Sequence, residues 1–196
     1  MPKFIDHEER KIHIAEATWK VIREEGIEKA TVRKIADAAG LSTGSLRHYF
    51  SSQSELLAFS MELVSERVRT RAESNSYTGT PFETVMEALC ELIPIDSEKR
   101  LEMEVWLAFS SKMLIDEKLK ALGEEVYEEM RGGMSNVLRL LDSLGLLHEN
   151  ADLEMEASRL HALVDGMAMH HLMHPDSFSK EKVIEVLEHH LKSICT

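Results

Sequence analysis

Three observations predict an all-α protein. Apolar residues recur at spacings of three and four along most of the 196 residues, the period of a helix face. Nowhere do Val, Ile and Thr alternate with polar residues over a strand's length,. The nine Gly and four Pro build no glycine-rich phosphate fingerprint, which excludes dinucleotide and P-loop enzymes.

The first helix is expected from about Glu8 to Glu25, where Ile12, Ala15, Trp19 and Ile22 share a face and Gly26 stops it,. Thr31 is a suitable N-cap for a second, carrying Val32, Ile35, Ala36 and Ala39 and ending at Gly40,. A third starts at Ser42 or Thr43, with Leu46, Tyr49 and Phe50 on its apolar side. Ser52 to Glu55 has the form of a capping box, and Leu56, Ser60, Met61, Val64 and Val68 carry a longer fourth helix toward Arg71,. The polar stretch Glu73 to Pro81 marks a boundary,. The predicted division is therefore a first domain over residues 1–57, a connecting helix over about 52–72, a linker over 73–81 and a second domain over 82–196.

Five further helices follow. Phe82 to Ile93 is one. Asp96 or Ser97 to about Leu114 is another, apolar nearly all round at its centre, which implies burial on several sides,. Asp116 to about Leu144 is long enough for a single helix, with Gly132-Gly133 expected to kink or break it,. Asp152 to His174 closes at Pro175, and Ser179 to Ile194 places Ile184, Leu187, Leu191 and Ile194 on one stripe.

No segment approaches the roughly 20 apolar residues of a membrane span, and the first nine residues contain no apolar signal core,. A cytoplasmic protein without membrane attachment is the expectation. Cys90 and Cys195 stand far apart in helical segments and read as free thiols,. The formal net charge of −12 would argue against a nucleic-acid partner,, but acid is segregated. Residues 1–50 contain nine Lys/Arg and eight Asp/Glu, the rest 14 and 27.

Two short helices joined by a glycine-containing turn form the signature of a helix-turn-helix. The tight crossing needs Ala36 small and Gly40 left-handed, while Leu41, Leu46 and Tyr49 anchor the second helix on the first. Ser42, Thr43, Gly44, Ser45, Arg47 and His48 then form the exposed surface that enters a major groove. Small hydroxyls can bond base edges or phosphates, Gly44 lets backbone come close, and Arg47 can reach a guanine or a phosphate.

The run from Ala30 to Leu57, ATVRKIADAAGLSTGSLRHYFSSQSELL, closely resembles the DNA-binding domain of the tetracycline-repressor (TetR) family, and the resemblance extends over about Ile12 to Leu57. It implies that Ser42, Thr43, Gly44, Ser45 and Arg47 address bases and adjoining backbone. By the same resemblance His48 and Tyr49 grip phosphate, and Thr31, the N-cap, also meets phosphate. Gln53 stands where many members have lysine, which implies a shallower salt dependence. Arg33 and Lys34 are the cations that could compensate.

A lone helix-turn-helix reads few base pairs, so a two-fold dimer on a palindromic, double-stranded operator is expected. The resemblance assigns dimerisation to the last two helices. Met103, Trp106, Phe109, Tyr127, Met130 and Met167 suggest an apolar pocket, and Asp165 and Glu104 add negative charge, a combination that favours a cationic or amphipathic small-molecule effector. Val105 to Phe109 (VWLAF) and Leu160 to Met167 (LHALVDGM) are similar to the C-terminal domain of the choline-responsive betaine-synthesis repressor branch. The implied function is a ligand-released transcriptional repressor, with no cofactor and no catalytic residue.

Two rivals are weighed beside it. His161, Asp165, His170, His171 and His174 offer i,i+4 pairs at zinc-ligating spacing,, the basis for a metal-dependent hydrolase. Neither an HExxH motif nor a Cys/His cluster accompanies them, so a solvated or interface helix end is favoured, and His189 and His190 are read as surface or seam residues. The other rival is a regulator controlled by a protein partner through its acidic surface.

Overall fold

A computed structural model describes residues 7–76 and 78–196. It contains α1 (His7–Glu25), α2 (Val32–Ala38), α3 (Thr43–Arg47), α4 (Gln53–Ser74), α5 (Pro81–Cys90), α6 (Ser97–Met113), α7 (Glu117–Ser143), α8 (Leu153–Met173) and α9 (Lys180–Ile194). Among the described residues the only strand-like pairing is an isolated bridge between Leu147 and Cys195, so the all-α expectation holds. None of their helices is long and apolar enough to cross a membrane.

Side-chain caps set most helix starts. Thr31 accepts from the Lys34 amide and Ser42 from the Ser45 amide. Asp96, Asp116, Asp152 and Ser179 do the same for α6 to α9. These are the positions that short polar residues favour because they satisfy orphan amides. A further box was not foreseen: Thr80 and Glu83 bond reciprocally, so α5 begins at Pro81,. The Ser52 box is also rearranged. Glu55 reaches past Ser52 to the Ser51 amide at 2.8 Å and the Ser51 hydroxyl at 2.5 Å, and these bonds hold its carboxyl below the usual range. The expected break at Gly132-Gly133 does not occur, and α7 runs unbroken for 27 residues. Two glycines cost roughly 2 kcal/mol of helix propensity; burial of Met134, Leu138 and Leu141 just beyond them offsets it,.

The chain forms two compact units, one of residues up to Arg67 together with Glu104–Glu124, the other of Val68–Met103 with Glu125–Thr196. In the first, Trp19 is buried and its indole N–H donates to the Ser60 carbonyl at 3.0 Å, which ties α1 to α4. The Arg67 guanidinium lies 4.7 Å from the Trp19 ring centroid and pairs with Glu16 at 2.5 Å,. The C-terminal half of α6 joins this unit through Lys112–Glu28 at 2.6 Å and Arg23–Glu104 at 3.6 Å. At the start of α7, the Ser54 hydroxyl donates to Asp116 at 2.7 Å and is the main cause holding that carboxyl below its ordinary value.

The second unit has its apolar core in Val85, Leu89, Ile93, Leu138, Leu160, Val164, Leu187 and Leu191, from α5, α7, α8 and α9. Its polar anchor is Arg71 of α4, which forks onto Glu102 at 2.8 and 2.7 Å and also reaches Glu91 at 3.3 Å. Glu102 is only 4% exposed, and Lys99 completes the network on Glu91 at 2.9 Å. A bidentate guanidinium is the arrangement that keeps a buried carboxylate ionised. Arg71→Met is expected to cost about 3–5 kcal/mol in urea unfolding by stranding that charge. The Arg71→Met/Glu102→Leu pair recovers most of the loss.

Candidate nucleic-acid interface and effector residues

The presentation of α3 starts at the end of α2. Gly40 has φ +66, its amide donates to Asp37 O at 3.2 Å, and the Leu41 amide returns to Ala36 O at 2.9 Å, a Schellman closure that needs the left-handed residue. Ala36 and Leu46 are fully or almost fully buried, so the small residue and the anchor expected on each helix are where the crossing requires them.

With Leu46 facing inward, Ser42, Thr43, Gly44, Arg47 and His48 are exposed on the other side. Arg47 and His48 have no side-chain partner among the described residues, which leaves their donors available. Ser42 is already committed: its oxygen accepts from the Ser45 amide at 3.0 Å and lies 2.9 Å from the Ser45 hydroxyl. Ser45 and Tyr49 are half-buried, and the Tyr49 ring rests 4.9 Å from that of His7 at the start of α1. Thr31 is exposed, its hydroxyl accepting from the Lys34 amide at 3.4 Å. Of the compensating cations, Lys34 is paired with Glu25, whereas Arg33 is exposed. Gln53 carries a role that sequence reasoning missed. Its amide donates to Ala30 O at 2.7 Å, joining the start of α4 to the residue before the α2 cap.

The proposed effector residues divide between the units. Trp106 and Phe109 belong to the first, where Trp106 is half-buried and Phe109 wholly buried. Glu104, in the same unit, is engaged by Arg23. Met103, Tyr127, Met130, Asp165 and Met167 belong to the second. There Met167 is part of the core, Met130 packs against it, Met103 is half-buried, and Tyr127 and Asp165 are exposed. Tyr127 and Asp165 are linked by His161, whose ring lies 5.1 Å from that of Tyr127 and whose Nε2 is 3.6 Å from Asp165 Oδ2. Protein bulk around Asp165 raises its carboxyl above the ordinary value, and His161 acts in the opposite sense.

The histidines do not assemble as metal ligands. No group of three or more His, Cys, Asp or Glu side chains among the described residues is arranged to hold an ion. His171 is buried with Nδ1 2.7 Å from Phe178 O, while His170 sits 5.9 Å from the Phe178 ring. His190 is buried against α8, and burial lowers its imidazole below the usual value.

A short helix held by a left-handed turn, with small hydroxyls and an exposed arginine on its outward side, defines a helix-turn-helix nucleic-acid-binding protein,. Comparison with known proteins agrees. The model for bacterial regulatory proteins of the tetR family matches residues 14–67, and that for the C-terminal domain of BetI-type transcriptional repressors matches residues 81–196. The HTH-type transcriptional regulator PksA of Bacillus subtilis is 45% identical, the alignment covering 100% of this chain and 94% of the relative. The HTH-type transcriptional regulator BetI of Vibrio parahaemolyticus is 30% identical, with 97% and 94% covered. Among solved structures, a transcriptional regulator from Rhodococcus sp. Rha1 superposes with TM-score 0.82 at 27% identity, covering 94% of this chain and 95% of the other. One from Saccharomonospora viridis, determined in complex with choline, shares the fold with TM-score 0.77 at 20% identity, covering 96% and 99%. The chain belongs to the TetR family of transcriptional regulators, with a BetI-type C-terminal domain. It is a regulator and not an enzyme, which sets the hydrolase reading aside.

Because α3 has only five residues, its cap is a large part of its local stability. Ser42→Ala should cost about 1 kcal/mol, read as a lower midpoint in urea unfolding.

Proposed function

We propose that this protein is a homodimeric repressor that binds a palindromic operator and leaves it when a small cationic or amphipathic effector binds the C-terminal region. The observation that carries the DNA-binding half is the outward face of α3, where Thr43, Gly44, Arg47 and His48 are exposed while Leu46 is buried behind them. Thr43, Gly44 and Arg47 are assigned to base edges and adjoining backbone. Ser42 and Ser45 reach the duplex from the cap, while Thr31, His48 and Tyr49 meet phosphate. Residues 1–57 act as the DNA-binding domain, α4 as the connecting helix and residues 82–196 as the effector and dimerisation domain.

Dimerisation through α8 and α9 is supported by large apolar side chains left open there: Met155 and Met173 on α8 and Ile184 on α9 are 57%, 54% and 37% exposed,. For the effector, Tyr127 and Asp165 are the accessible aromatic and acidic contacts, with Met103 and Met130 half-buried and Met167 as supporting core, all within the second unit. An aromatic face with a carboxylate suits a cation, and the choline bound by the Saccharomonospora viridis regulator supports the same ligand class here. The effector acts by binding one spacing of the two DNA-binding heads better than the other, and shifts the equilibrium only by that difference.

Selection of bound fragments from the parent genome supplies the operator, and a gel shift then tests the interface. Arg47→Ala is expected to weaken operator binding by about 1–3 kcal/mol, roughly 5- to 150-fold, with the dimer and the helical content unchanged. Unaltered affinity at physiological salt would remove α3 from the interface. Gln53→Lys is expected to steepen the plot of log affinity against log salt by about 0.9, one phosphate neutralised.

A further inference from the structure

We propose that two histidines of α1, His7 and His13, are positioning residues for DNA recognition: they hold the chain just before and just after α3, and so fix the tilt at which that helix meets the duplex. The proposal rests on α3 and Tyr49 being the DNA-facing elements assigned above.

The two contacts bracket α3 from a single helix. His13 reaches the turn ahead of it, with Nε2 3.1 Å from Ala39 O, 26 residues further along the chain. A carbonyl oxygen only accepts, so the imidazole donates through its Nε2–H. Ala39 is the C-cap of α2, and its carbonyl is one of those that a helix end leaves without an intrahelical amide. The Gly40 and Leu41 amides go instead to Asp37 O and Ala36 O, and the histidine supplies what the turn's own amides do not. His7 reaches the other end. Its ring lies 4.9 Å from that of Tyr49, tilted by 38°, the separation of an aromatic pair, and Tyr49 stands two residues beyond the end of α3. His7 and His13 are six residues apart in the 19-residue α1, about 9 Å along its axis.

Five residues give α3 too little length to hold a direction by itself,. Leu46 and Phe50 are buried, and the Phe50 ring meets that of Phe59 on α4 at 5.3 Å. Those contacts set how deeply the segment is seated. Direction needs contacts at its two ends, and α1, tied to α4 through Trp19, is a long helix that reaches both. The charges around His7 oppose a phosphate contact of its own. Glu8 and Glu9 follow it in the first turn of α1, and its Nδ1 lies 3.7 Å from Glu8 Oε1. Carboxylates in that place repel phosphate, so the role of the ring is mechanical.

Positioning acts on one kind of binding and spares another. Non-specific affinity is Coulombic and tolerates a tilted helix, whereas hydrogen bonds to base edges fail outside a narrow range of distance and angle. Loss of either histidine contact therefore lowers the preference for operator more than the affinity for DNA in general.

The test titrates the full-length protein by fluorescence anisotropy onto its operator, obtained by the genomic selection above, and onto a scrambled duplex of equal length. His7→Ala and His13→Ala are each expected to lower operator affinity about three- to tenfold, the scale of one aromatic pair or one hydrogen bond. Affinity for the scrambled duplex, the slope against log salt and the helical content stay at their wild-type values. His7→Phe keeps a ring and His13→Gln keeps a donor, and both are expected to restore most of the operator affinity. Alanine variants as tight as wild type overturn the proposal, as does an equal loss on both duplexes or a failure of the conservative variants to restore binding. A salt slope shallower by about 0.9 in His7→Ala makes His7 a phosphate contact and overturns its positioning role. Both side chains are exposed, so the alanine variants are expected to fold; one that unfolds shows a contact that supports the fold at large, and the proposal fails for it. Arg47→Ala, measured alongside, separates this proposal from the reading beneath it. A weakened Arg47→Ala beside unaffected histidine variants overturns positioning alone, whereas an unaffected Arg47→Ala removes α3 from the duplex and the proposal with it.

Discussion

The exposed face of α3 depends on one backbone constraint, the left-handed residue at Gly40. A five-residue helix has no stability of its own, since nucleating a helical turn costs more than so few hydrogen bonds return. It exists because Gly40 turns the chain sharply enough for the Leu41 amide to close on Ala36 O and for Leu46 to be buried. A side chain at φ +66 would be strained by roughly 1–2 kcal/mol. The outward direction of Arg47 is thus set by residues that never touch DNA.

The same reasoning explains how an acidic chain can offer a nucleic-acid surface. Many of its cations are already neutralised within their own unit: Arg67 by Glu16, Lys34 by Glu25, Lys112 by Glu28, Arg71 by Glu102. Arg33, Arg47 and His48 remain exposed on α2 and at the end of α3. Internal pairing of this kind does more for geometry than for stability, because exposed pairs contribute little. The exception is Arg71, whose partner is buried, and there the pair is obligatory rather than strengthening. Placed in the last turns of α4, it holds that helix to α5 and α6 of the second unit, while Trp19 and Arg67 hold the earlier turns within the first.

Much of the fold was legible because helical period and caps are local. Thr31, Ser42, Asp152 and Ser179 declare helix starts through a bond three residues on at most, and Gly40 declares a stop through its own backbone. The capping at Thr80 is equally local, set by the Thr80–Glu83 pair inside the polar stretch that ends at Pro81. What could not be read was anything set by distant partners. Gln53 shows in the sequence only as a neutral residue at a phosphate-facing position; its bond to Ala30 O, which spans 23 residues, is invisible there. The Gly132-Gly133 pair looked like a break because propensity is local, whereas the packing that keeps α7 continuous comes from other helices.

The effector residues show the same limit in sharper form. Apolar side chains at helical spacing carry no mark that separates core from ligand wall, and Phe109 and Met167 are buried while Tyr127 is open. His161 was visible only as one half of an i,i+4 pair with Asp165, a spacing that suits a metal or an ion pair alike. Tyr127 decides between them, and it lies 34 residues away on another helix. An imidazole enclosed between a tyrosine ring and a single carboxylate lacks the further donors a metal would require. It has instead one carboxylate at 3.6 Å and one aromatic ring at 5.1 Å, the surroundings of a histidine packed into its own unit.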